Sequence, residues 1–114
     1  MNNTFTYLYN HCQLRAKERY NHSLTRGEFE MISTNIRKFK RPGLDIMMFS
    51  DIDSKENQHW IVGLKNKWFY VIYDMFAGFC ITFMPIEALH DKQLQIAKGT
   101  RELLKKRGIW PNIK

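Results

Sequence analysis

The chain has 114 residues, 44% of them hydrophobic and 14% aromatic, which suits one domain with a buried core and argues against disorder. No apolar run approaches the roughly 20 residues of a membrane span, and the opening residues MNNTFTYLYNHCQ lack a basic start and a small-residue cleavage site. The expectation is a single domain over residues 1–114, cytoplasmic, with no membrane partner. Eighteen Lys and Arg stand against eleven Asp and Glu, a net charge of +7. Residues 1–43 hold 8 basic and 3 acidic side chains, residues 44–91 hold 3 and 7, and residues 92–114 hold 7 and 1. Two basic flanks around an acidic middle suit a polyanion, most simply RNA, although the same excess also serves solubility.

Leu8, Cys12 and Ala16, joined by Phe5, Tyr9 and Tyr20, recur at helical spacing and predict a first helix over residues 6–20. His11, Arg15 and Arg19 follow at four-residue steps along a border of that apolar arc. The spacing alone fits a solvated stripe as well as a site, but a ridge that borders the buried arc is expected where the helix meets the sheet rather than on its solvated back. Thr25 and Glu28 are spaced as a capping box and open a second helix over residues 26–40. Its buried stripe is Phe29, Ile32, Ile36 and Phe39, and Pro42 stops it.

After Pro42-Gly43 the period shortens to two. LDIMMFS, HWIVGL, WFYVIYD and FCITFM predict four strands between residues 44 and 84, and the short connections KNK and MFAG force hairpins. Alternation sends Trp68 and Tyr70 to one face of the sheet and Phe69, Val71 and Tyr73 to the other, either as core or as surfaces for stacked bases. Leu89, Ile96, Ala97, Leu103 and Leu104 then predict a third helix over residues 87–107. Lys98, Arg101, Lys105, Lys106 and Arg107 give it a basic face, suited to phosphates, to an acidic protein or to plain solvation. The predicted class is α+β: two N-terminal helices packed on a four-stranded, mainly antiparallel sheet, plus a basic C-terminal helix.

Four histidines and two cysteines invite a zinc reading, but no ligand spacing appears, and the six glycines form no phosphate-binding loop. Cys12 and Cys80 read as buried thiols, and no cofactor or metal is expected. What remains is a proton-handling and phosphate-binding group able to cut RNA through its own ribose 2′-hydroxyl. His11 would move protons while Arg15 and Arg19 hold the phosphate, with Lys65 or Lys67 in the tight turn as further cations and Tyr70 offering a polar tip; the plainer alternative is a surface histidine with Arg15 and Arg19 paired to Glu18 or nearby acids on an exposed face.

HCQLRAKER fits a HxxxRAxxR pattern that resembles the first helix of RegB-like endoribonucleases, with LTRGEFEMISTNI standing where their second helix stands. The element order resembles the wider fold group of RelE-type messenger RNA interferases, barnase-like ribonucleases and the ribonuclease domains of colicins. In FCITFMP the resemblance puts Thr82 at the position of a hydroxyl residue that closes the paired strands. It implies a metal-independent endoribonuclease, toxin-like or phage-derived, with RNA as substrate and an antitoxin or host protein as a further partner. His11, Arg15, Arg19, Tyr70 and Thr82 would surround the scissile phosphate. Two alternatives stay open: a non-catalytic nucleic-acid-binding module of the same fold, and a small inhibitor using the basic helix against another protein.

Overall fold

The computed structural model describes residues 3–38, 45–50, 57–64 and 67–91, together with Glu102, Lys105 and Lys106. In chain order the elements are α1 (Asn3–Tyr20), α2 (Arg26–Lys38), β1 (Asp45–Ser50), β2 (Asn57–Leu64), β3 (Lys67–Asp74), β4 (Phe79–Met84) and a short α3 (Ala88–Asp91). The class is α+β, two helices against an antiparallel sheet, as the change of period predicts. Strands β2, β3 and β4 form an antiparallel meander, with Ile61 opposite Tyr70 and Tyr70 opposite Met84. The backbone of β1 runs antiparallel to β2, Asp45 opposite Gly63 and Met48 opposite Trp60.

Local chemistry sets the helix boundaries. Asn21 closes α1 in the left-handed conformation, φ 51°, and its N–H donates to the Lys17 carbonyl at 3.1 Å. Asn is among the few side chains that tolerate that turn. The capping box forms in both directions: the Glu28 N–H donates to Thr25 Oγ1 at 3.0 Å, and the Thr25 N–H donates to Glu28 Oε1 at 3.0 Å. His22 Nε2 lies 3.1 Å from the same Glu28 oxygen, so the inter-helix corner is tied to the α2 N-terminus. Of the helix predicted over residues 87–107, Glu87 lies in a turn, Ala88–Asp91 is helical, Glu102, Lys105 and Lys106 have helical backbone, and the remainder lies outside the described residues.

Period-two alternation sorts the sheet into two faces. Trp60, Val62, Leu64, Phe69, Val71, Tyr73, Cys80 and Phe83 pack with Leu8, Cys12, Ala16, Leu24, Phe29, Ile32 and Ile36 of the helical layer. The opposite face gathers Ile61, Tyr70 and Leu89, flanked by Trp68, Ile72 and Met84. At Gly63 the Trp68 ring lies 3.0 Å from where a Cβ would be, so any larger residue there would push the ring aside by a few tenths of an ångström.

The helices also cover the free edge of β4. Edge strands expose a row of unpaired backbone groups that invite foreign strands. Here the Cys12 thiol donates to the Cys80 carbonyl at 3.5 Å, and the Cys80 N–H donates to Ser33 Oγ at 3.0 Å. Arg19 Nη1 donates to the Phe83 carbonyl at 2.6 Å, and the Tyr20 hydroxyl donates to the Met84 carbonyl at 2.5 Å. Tyr20 also accepts the Tyr70 N–H at 2.9 Å, so one hydroxyl bridges the paired positions of β3 and β4. These contacts fix α1 alongside β4, running in the same direction.

Candidate functional site

The α1 ridge meets β4 at its edge. His11 Nε2 lies 3.2 Å from Thr82 Oγ1, a contact between residues 71 apart in sequence. Thr82 pairs in register with Ile72, whose side chain belongs to the face away from the helices. The imidazole therefore reaches across the edge of the sheet, and the resulting hydroxyl–imidazole pair is half-buried.

Two cations flank it on the same ridge. Arg15 Nη1 sits 2.7 Å from Glu18 Oε1, with a third of the Arg15 side chain and nearly half of the Glu18 side chain in water. Arg19 is exposed apart from its grip on the Phe83 carbonyl, one residue along β4 from Thr82. Their charges register on His11, whose pKa lies below the usual 6.5. Burial is the main cause, Arg15 and then Arg19 add to it by repelling a second positive charge, and Glu18 opposes them. At neutral pH the ring is uncharged and able to accept a proton.

The sign of this shift carries over to stability. The unfolded chain takes up a proton on this side chain near pH 6.5, before the folded protein does, so acidification through that region weakens the fold. By proton-detected titration His11 is expected to ionise below pH 6.5. Arg15→Gln is expected to raise its pKa, since a repelling charge is gone, and an unchanged value would show that the guanidinium does not act on the ring.

The structure brings His11 onto Thr82 and Arg19 onto the neighbouring Phe83 carbonyl, while Arg15 acts on His11 by its charge and takes Glu18 of its own helix as hydrogen-bond partner. Tyr70 is not brought to them, although its backbone N–H meets Tyr20 nearby. Its side chain is fully buried on the opposite face with Ile61 and Leu89, and its hydroxyl lies 2.7 Å from His59 Nδ1. Alternation along β3 dictates this, because a residue out of phase with Phe69 and Val71 cannot face α1. Lys67 is exposed at the start of β3, opposite Leu64, while Lys105 and Lys106 are exposed on helical backbone. Lys65, Lys98, Arg101 and Arg107 lie outside the described residues.

Cys12 and Cys80 are buried thiols, as predicted. Burial pushes the Cys12 pKa up strongly and that of Cys80 up to about 12, so both remain protonated and poorly nucleophilic. Among the described residues no three His, Cys, Asp or Glu side chains gather to hold a metal ion, and no helix is long and apolar enough to cross a membrane. A shallow groove of about 510 Å³ lies on another side of α1, lined by Asn10, Gln13, Leu14, Lys17 and Ser23, away from the His11 pair.

Sequence reasoning missed Tyr20, whose hydroxyl fixes the strand end beside Arg19. Its place at the end of the apolar arc marked it only as core. No family model, no curated protein and no solved structure matches the chain.

Proposed function

We propose that the protein is a small endoribonuclease that cuts RNA without a metal ion at the junction of α1 and β4. The observation that carries this reading is the 3.2 Å contact between His11 Nε2 and Thr82 Oγ1, with Arg15 and Arg19 on the same ridge. The Thr82 hydroxyl marks where an O–H group can address the ring, and a ribose 2′-hydroxyl beside it would give its proton to His11. The freed 2′-oxygen attacks the adjacent phosphorus as the bond from phosphorus to the 5′-oxygen breaks. A 2′,3′-cyclic phosphate results, and the departing 5′-oxygen takes a proton from water.

Arg15 and Arg19 supply the charge that such a transition state needs. An ion pair as exposed as that of Arg15 with Glu18 contributes only about 0–1 kcal/mol, so a phosphate can readily take the place of Glu18. Arg19 uses one nitrogen on the Phe83 carbonyl, and a guanidinium carries further N–H donors. The resemblance of HCQLRAKER to RegB-like proteins supports the same assignment. The full architecture proposed with it is a four-stranded sheet and a basic C-terminal helix whose lysines and arginines extend the phosphate track.

Purified protein in excess EDTA is expected to cut a mixed-sequence RNA and to leave DNA of the same sequence intact, because only RNA carries the nucleophile. Salt-dependent binding without cleavage would favour the non-catalytic module, and absence of both would sink the nucleic-acid reading.

A further inference from the structure

The ridge of His11, Arg15 and Arg19 extends one four-residue step toward the N-terminus, to Tyr7. Tyr7 is 71% exposed, whereas Phe5, Leu8 and Tyr9 around it pack into the helical layer. Burial does not account for this ring. Residues four apart on a helix are neighbours, about 5–6 Å between Cβ atoms, so Tyr7 stands one turn before His11, whose ring reaches Thr82. Along the strand edge the Phe5 ring meets Phe79 with 5.3 Å between centroids, His11 meets Thr82, and Arg19 meets Phe83, so this turn of α1 lies at the end of the edge where β4 begins.

An exposed ring one turn before the imidazole, on the same slowly winding row as two guanidinium groups, offers what an unpaired base and its phosphates require: a flat apolar surface followed by positive charge. The bases of a duplex are stacked on one another and have no free face to give it. A rise of about 6 Å per four residues also keeps the ring, the imidazole and the two cations at intervals comparable to successive nucleotides of an extended strand. We infer that Tyr7 is the stacking platform for an unpaired base next to the cleaved phosphate, and hence that the substrate is single-stranded RNA. This rests on the RNA-cleavage reading above.

Fluorescence anisotropy with a labelled 2′-O-methyl RNA strand, which cannot be cut through its 2′-oxygen, separates binding from chemistry. Tyr7→Ala is expected to weaken binding of the single strand by about 5–100-fold, and Tyr7→Trp to preserve it. Phe76→Ala removes a ring that is 82% exposed at the β3–β4 turn, off the ridge, and is expected to change little. Binding unchanged within twofold in Tyr7→Ala, an equal loss in Phe76→Ala, or no binding by the wild type would each overturn the inference. If RNA is cut but binding ignores Tyr7, the platform alone fails. If binding depends on Tyr7 but unmodified RNA is never cut, the platform stands and the ribonuclease reading fails.

Discussion

His11→Ala is expected to slow cleavage of single-stranded RNA by about 10²–10⁴-fold, the range for removing a general acid or base, with the fold intact. The fold should survive because His11 is only half-buried and its contact with Thr82 is one side-chain hydrogen bond, a type that contributes roughly 0.5–1.5 kcal/mol. The removed group leaves Arg15 and Arg19 in place, so affinity for the 2′-O-methyl strand should stay close to that of the wild type. Single-turnover cleavage and anisotropy on the same preparation check both halves. A variant that cuts at the wild-type rate would show that the imidazole takes no part. A variant that neither cuts nor binds would show that His11 holds the surface together instead of acting on the substrate.

The largest effect on stability is expected at Tyr20→Phe. The change keeps the ring against Phe69, 4.8 Å between centroids, and removes only a hydroxyl. That hydroxyl serves the Tyr70 N–H and the Met84 carbonyl at once, at the point where β3 and β4 pair. A buried polar group left without its partner costs about 1–3 kcal/mol, so losing both contacts should destabilise the protein by about 3 kcal/mol and lower Tm by roughly 10 °C. Tyr9→Phe makes a matched control. Its hydroxyl donates a single bond, to the Leu24 carbonyl at 3.0 Å, and about 1 kcal/mol should be lost there. Urea denaturation of the two variants gives the comparison, and a Tyr20→Phe protein no less stable than Tyr9→Phe would contradict the bridging role.

These two residues also mark how far sequence alone reaches. Both helices and the hairpins could be read from local information: apolar spacing at Leu8, Cys12 and Ala16, the reciprocal cap of Thr25 and Glu28, and connections too short for a parallel crossover. A ridge position and a resemblance put His11 and Thr82 in one group, but no local rule predicted their contact, and Arg15 of the same ridge takes Glu18 of its own helix as its partner. Tyr70 shows the opposite case. Its polar tip suggested a place in the site, while the alternation of β3 only separated it from Phe69 and Val71; the structure puts its face away from α1, where its hydroxyl meets the buried His59. Phase outranked side-chain chemistry.

Tyr20 could not be read in advance, because its function depends on where the register of β3 and β4 places Tyr70 against Met84. The same holds for Arg19, whose carbonyl partner lies 64 residues away. Tyr7 is different: the four-residue step that singled out His11, Arg15 and Arg19 includes it, and only its exposure separates it from the core aromatics of the same helix.

The central claim, transfer of phosphorus to a neighbouring 2′-oxygen assisted by His11, leaves a chemical signature on the fragments. Single-stranded RNA incubated with the wild-type protein in excess EDTA, and the new ends identified by mass spectrometry, tests it most directly. Fragments ending in a 2′,3′-cyclic phosphate and beginning with a 5′-hydroxyl, absent with His11→Ala, are the expected result. Intact RNA, or fragments carrying 5′-phosphates and 3′-hydroxyls, would contradict it.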